Sequence, residues 1–179
     1  AGTLGTLPYA LAESTSRLTL ALAEHRRWPE NKVIRTKCLV YAGLLAHYAQ
    51  DACQPLHTTI HYDGRVGPDG KSPRSGIHAR LDALLHAPTA DAGEFALRVR
   101  AYDKLLPAVW AEIKSSHALV DRVYELDKQL PEMGKPLGKN EASQFVAERR
   151  AAAVSFTASL YLTAWRNSKN VELPDWHKR

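Results

Sequence analysis

The sequence predicts an all-α protein, a compact bundle of several helices. Apolar residues recur at spacings of three and four along most of the 179 residues, which is the period of an amphipathic helix. No stretch shows the sustained alternation of apolar and polar residues that indicates a half-buried strand. Glycine and proline gather in a few short stretches, so turns are expected to separate long helical segments.

Composition limits the possible classes of protein. With 45% hydrophobic and 24% charged residues, the chain suits one globular domain, which we predict over residues 1–179. No apolar run approaches the roughly 18 residues that a membrane span needs, so we predict no transmembrane segment. The net charge of +5 is spread along the chain, which favours an ordinary basic surface over a dedicated nucleic-acid face. Cys38 and Cys53 would lie about 22 Å apart on one helix, too far for a disulfide.

The first 52 residues contain two predicted helices. The first covers 8–26, with Pro8 in its first turn, where a missing N–H costs nothing. The second covers 31–52, with Asn31 as its N-cap. The residues predicted to face the core are Leu11, Leu18 and Leu22 on the first helix, and Ile34, Cys38, Tyr41, Leu45 and Tyr48 on the second.

A loop rich in Gly, Pro, Asp and Ser is predicted over 58–75, and loops of this length are often functional. A short helix should then run from a cap at Ser75 to His86. The stretch 90–129 is predicted as a helical segment interrupted near Pro107.

A second loop, 131–140, precedes a last predicted helix. That helix covers 141–167, and its predicted inward residues are Phe145, Ala152, Phe156, Leu160 and Thr163.

The stretch "HYAQDACQPLH" places potential metal ligands around the end of the second helix. His47 and Asp51 are four residues apart and therefore share one helix face. Pro55 cannot continue the helix, so the chain should bend and can bring His57 back beside Asp51.

A second pair of the same kind occurs in "GIHARLD". His78 and Asp82 are again four apart on a predicted helix. One such pair alone is typical of a surface ion pair. Two pairs together with His57 supply imidazole nitrogens and carboxylate oxygens, which suit zinc held between facing helices.

The loop between these motifs contains two further candidates, His61 and Asp63 in "IHYDG". Both are close enough in sequence to reach the predicted site, where they could bind substrate or act as acid and base. An Asp-Gly turn explains Asp63 equally well.

Taken in order, "HYAQDACQPLH" and "GIHARLD" resemble the superfamily of zinc-dependent phospholipase C and the fungal single-strand-specific nucleases. Those proteins carry a His, an Asp four residues on, the run Gln-Pro-Leu-His, and later a His with a carboxylate four residues on. "GTLPY" near the start and "RAAAVSFTASLYLTAW" near the end are similar to segments of the nuclease branch. The resemblance is therefore closest to a bacterial-type member of that branch.

The resemblance implies a zinc-dependent phosphoesterase, an endonuclease-like hydrolase in which metal-bound hydroxide attacks a phosphate ester. His57, His78 and Asp82 would form one complete three-ligand site. His47 and Asp51 would bind a second zinc, with Asp51 also bridging to a third, which makes Asp51 the catalytic residue. The implied substrates are nucleic acid, nucleotides or phospholipid, and the implied location is outside the cytoplasm.

The family takes its remaining ligands from an N-terminal Trp, an early His, and a further Asp and His. None of these can be placed in this sequence. We therefore expect either that an upstream segment is missing or that the protein holds fewer than three zinc ions.

Two other interpretations are compatible with the same residues. The chain could be a non-catalytic helical domain that holds one structural zinc and acts as an interaction module. It could also be a metal-free bundle in which both His–Asp pairs are surface ion pairs.

Overall fold

A computed structural model describes residues 5–73, 76–87 and 98–175. Over these residues the chain forms six α-helices and two short 3-10 turns, and it contains no strand, so the all-α prediction is confirmed. None of the helices in these ranges is long and apolar enough to cross a membrane. The helices are α1 (Leu7–Arg27), α2 (Lys32–Cys53), α3 (Ile77–His86), α4 (Leu105–His117), α5 (Val120–Leu126) and α6 (Glu141–Ser168); the 3-10 turns are Pro55–Thr58 and Asp127–Gln129.

Most helix boundaries agree with the predicted ones, because the proline and N-cap residues used to predict them occupy the expected positions. Pro8 lies in the first turn of α1. The side chain of Asn31 accepts hydrogen bonds from the N–H groups of Val33 and Ile34, which confirms it as the N-cap of α2. The predicted loops are free of helix and strand over 59–73 and 131–140, whereas the predicted cap at Ser75 lies outside the described residues.

The prediction of a helical segment over 90–129, broken near Pro107, is confirmed for most of 105–129 but is wrong for residues 98–104 and for the place of the break. Residues 98–104 are not helical, and α4 begins only at Leu105. Pro107 thus lies in the first turn of α4, where its missing N–H breaks no hydrogen bond. The helical segment is interrupted instead at residues 118–119, between α4 and α5.

The described chain divides into two compact units, and the prediction of one domain over 1–179 stays a prediction. The first unit comprises Ala1–Gln50, Arg98–Trp110 and Ser155–Arg179. Arg26 of α1 donates hydrogen bonds to Ser168 and to the carbonyl of Trp165 near the end of α6. Such contacts satisfy carbonyls that the helix itself leaves without donors. The buried apolar residues of this unit include Leu11, Leu18, Leu45, Val109, Phe156 and Leu160.

The non-helical segment 98–102 is attached to α6 through its backbone. Every second N–H group of the segment donates to a hydroxyl on α6, and those hydroxyls are four residues apart. Two residues of extended chain and four residues of helix both advance about 6–7 Å, so the two spacings match. The three pairs are Arg98 with Ser155 (3.3 Å), Arg100 with Ser159 (3.1 Å) and Tyr102 with Thr163 (2.9 Å).

The second unit comprises Asp51–Leu97 and Ala111–Val154. Two interactions hold α3 in this unit. Arg80 forms an ion pair with Asp127. Arg150 of α6 donates hydrogen bonds to the carbonyls of Leu84 and Leu85 at the end of α3. Burial lowers the pKa of the Arg150 guanidinium. The core of this unit is a cluster of buried apolar side chains: Leu56, Ile77, Leu81, Val120, Val123, Tyr124, Leu126, Leu130, Ala142, Phe145 and Val146.

Replacing Ser159 with Ala should destabilise the protein by about 1–3 kcal/mol, because the N–H of Arg100 loses its acceptor at a site where Ser159 is 1% exposed. The free energy of unfolding, from urea titrations followed by circular dichroism, measures the effect. Ser16→Ala is the matched control, since Ser16 makes only a local bond to the carbonyl of Ala12 on an exposed face of α1. Equal stabilities of the two variants would contradict the assigned role of the hydroxyl row.

Candidate metal centre

The chain turns sharply where α2 ends, as predicted. Cys53 is the last residue of α2, and Pro55 begins the 3-10 turn that carries His57. Pro55 and Leu56 are both buried and anchor the turn in the core. Gln54 precedes the turn, and its side chain accepts a hydrogen bond from the N–H of Leu56. The turn leaves His57 at the surface while its neighbours are held in place.

The helix α3 presents the other two ligand candidates. His78 and Asp82 lie on one face, and His78 Nε2 is 3.0 Å from Asp82 Oδ2. Gly76, which precedes the helix, has a φ of +87°, a left-handed conformation that favours glycine. It has no capping side chain, and Asp63 of the preceding loop takes that role, accepting bonds from the N–H groups of Gly76 and His78.

His57, His78 and Asp82 converge on one point. His57 Nε2 lies 3.3 Å from Asp82 Oδ1 and 3.4 Å from Oδ2, and the two imidazoles stack with ring centroids 4.7 Å apart. One ligand atom from each of the three residues lies within 4.8 Å of the others. Zinc bonds of 2.0–2.1 Å in a tetrahedral site require neighbouring ligand atoms to be about 3.3 Å apart. The two separations that involve Asp82, 3.0 Å from His78 and 3.3 Å from His57, are close to that value.

The surroundings of the three residues also suit a metal ion. Asp51 Oδ1 lies 3.4 Å from His57 Nδ1, the nitrogen that does not face Asp82. A carboxylate behind a metal-binding imidazole is a common arrangement, because it orients the ring. His78 directs Nε2 at Asp82, so its other ring nitrogen, Nδ1, points away from the three-residue group; Nδ1 is buried without a hydrogen-bond partner in the described chain.

The charges of the site are strongly coupled. The hydrogen bond to Asp82 raises the pKa of the His57 imidazole above its usual value. Burial acts to raise the pKa of the Asp82 carboxyl, but hydrogen bonds from His57 and Gln54 outweigh it and lower that pKa. The carboxylate is therefore kept ionised, which is the form that a metal ligand requires.

His47 and Asp51 are not members of the three-residue group found in the described chain. His47 is exposed on α2, one turn before Asp51, which is half-buried and contacts His57 as described. Their assignment as ligands of a second zinc, and the bridging role of Asp51, remain predictions.

The two loop candidates have structural roles. The carbonyl of His61 accepts a hydrogen bond from the hydroxyl of Tyr124, and Asp63 caps α3. Asp63 and His78 also line a cavity of ≈ 390 Å³ together with Tyr62 and Ala79. Substrate binding by His61 and Asp63 remains a prediction.

Three features of the site were not predicted from the sequence. Tyr62 packs its ring against the edge of His78, with centroids 5.5 Å apart, and Gln54 contacts Asp82. Cys53 is a buried thiol, and it contacts Glu112, with 3.4 Å between Sγ and Oε1. Burial raises the pKa of this thiol well above its usual value. Gln54 was visible in the Gln-Pro-Leu-His run, whereas no sequence signal indicates Tyr62 or Glu112.

Comparison of the chain with protein-family models, curated protein sequences and solved structures gives no match in any of the three.

Replacing Asp63 with Ala should destabilise the protein by about 0.5–2 kcal/mol, because the first turn of α3 loses its only side-chain cap in the described chain. Urea unfolding measures the loss. Asp69→Ala in the same loop is the control, because Asp69 makes an exposed, local bond to the N–H of Lys71. If Asp69→Ala costs as much as Asp63→Ala, the capping role is wrong.

Proposed function

We propose that this protein is a zinc-dependent phosphoesterase of the nuclease-like type. The observation that carries the proposal is the convergence of His57, His78 and Asp82 within 4.8 Å, with the distances from Asp82 to both imidazoles suited to tetrahedral zinc. Two imidazoles and one carboxylate are a ligand set that catalytic zinc sites use, with a fourth position left for water or substrate.

Access to the site supports a catalytic zinc rather than a closed structural one. The side chains of His57, His78 and Asp82 are all partly exposed, at 26%, 27% and 25%. The cavity beside His78 has a volume of ≈ 390 Å³, within the range of small-ligand sites, and His78 is the one candidate ligand that lines it. A substrate group that occupies this cavity would lie against the imidazole of His78.

The chemistry follows from the ligands and their neighbours. Zinc in such a site supplies positive charge for phosphoryl oxygens and lowers the pKa of water toward about 7. Asp51 holds the His57 ring from behind at 3.4 Å, which keeps Nε2 directed at the metal position. Additional zinc bound by His47 and Asp51, and the choice among nucleic acid, nucleotide and phospholipid substrates, belong to the same proposal.

Metal content tests the site directly. Purified protein reconstituted with zinc and desalted should retain about one zinc per chain by mass spectrometry, and His57→Ala with His78→Ala should abolish it, because one carboxylate alone cannot replace two lost imidazoles. His86→Ala is the matched control, since His86 is an exposed histidine at the end of α3. Zinc retained by the double variant at the wild-type level would contradict the assigned ligands.

Hydrolysis tests the reaction. The zinc-loaded protein should cleave bis(p-nitrophenyl) phosphate. His78→Ala should lower the rate by at least about 100-fold, because removing even a residue that only supports a metal ligand can cost up to about 100-fold. Single-stranded DNA, a 3′-nucleotide and phosphatidylcholine then distinguish the substrate classes. Zinc binding without hydrolysis of any of these substrates would favour the structural-zinc interaction module instead.

A further inference from the structure

Gln54 lies between α2 and the turn that carries His57, and it is 4% exposed. A buried primary amide is costly unless its polar atoms find partners. Both ends of this amide have partners, one in the backbone of the turn and one in the candidate metal centre, so its burial has a structural explanation.

The carbonyl oxygen of the amide is hydrogen-bonded within the turn. It accepts a hydrogen bond from the N–H of Leu56, and this bond starts the 3-10 turn Pro55–Thr58. Because the backbone N–H can only donate, the side-chain oxygen must face it and the NH₂ group must point the other way.

The NH₂ group donates to Asp82 Oδ1 over 2.9 Å. That oxygen is also the one that lies 3.3 Å from His57 Nε2. Hydrogen bonds to a carboxylate are stronger than those between neutral groups. Gln54 therefore joins two ligands that are 25 residues apart in the chain, one through its turn and one directly.

We propose that Gln54 is a positioning residue of the metal centre, which sets the separation between His57 and Asp82 and the orientation of the Asp82 carboxylate. The inference rests on the zinc site of the proposed function. It assigns to Gln54 a role beyond capping a turn, because a cap alone does not require the bond to Asp82.

The test compares zinc affinity in Gln54→Met and in Gln50→Met, measured by competition with a chromophoric chelator. Met has nearly the volume of Gln but forms neither hydrogen bond, and Gln50 is an exposed glutamine one turn earlier on α2. Gln54→Met should bind zinc about 10–100-fold more weakly than wild type, and Gln50→Met should bind it equally. Equal affinity in Gln54→Met and wild type would overturn the inference.

Two further variants separate positioning from general stability. Leu126→Ala removes a buried core side chain of the same unit without touching the ligands. It should destabilise the fold but leave zinc affinity unchanged. A loss of zinc affinity in Leu126→Ala equal to that in Gln54→Met would overturn the positioning role. Gln54→Glu keeps the acceptor for Leu56 and places a second carboxylate oxygen against Asp82.

The visible absorption of bound Co²⁺ reports the ligand geometry. Repulsion between the two carboxylates in Gln54→Glu should change this spectrum, and an unchanged spectrum would overturn the inference even if Gln54→Met does not fold. Wild-type protein that binds neither zinc nor cobalt would overturn the proposed function as well. Wild-type binding with no effect at Gln54 would overturn the positioning role alone.

Discussion

The candidate metal centre depends on one constraint, the end of α2 imposed by Pro55. A proline at this position cannot donate the hydrogen bond that another turn of α-helix requires. The chain instead forms the 3-10 turn Pro55–Thr58, and the burial of Pro55 and Leu56 holds that turn against the core. His57 is thereby directed toward Asp82 rather than along the axis of α2. If the helix continued, His57 would lie six residues and about 9 Å further along it than Asp51.

The second ligand helix is held by side chains from other parts of the chain. Asp63 caps the first turn of α3, and Arg150 donates a hydrogen bond to a carbonyl in its last turn. Between these ends, Arg80 pairs with Asp127. A helix of ten residues is marginal by itself in water, so these contacts and the burial of its apolar face provide its stability. The positions of His78 and Asp82 are consequently set by contacts that lie 15 to 66 residues away in sequence.

The three candidate ligands are supported by neighbouring side chains and are still partly accessible. Gln54 contacts Asp82, and Asp51 contacts His57. The side chains of His57, His78 and Asp82 remain 25–27% exposed, and a cavity adjoins His78. Such an arrangement fits a zinc site that must orient its ligands and still leave a coordination position accessible.

The sequence by itself determined most of the helices and the candidate metal ligands, because both depend on residues that are close together in the chain. Periodicity of three and four, Asn31 as a cap and Pro55 as a stop are decided within a few residues, and so is the shared face of His78 and Asp82. Tertiary structure alone decided that residues 98–104 are not helical, since their N–H groups bond to hydroxyls on α6 more than 50 residues away. It also decided that Asp63 is a helix cap and that His57 meets Asp82, whereas His47, with the same spacing to an Asp, stands outside the group of three. Helical spacing defines which residues share a face, but the face that meets another ligand depends on packing between distant segments.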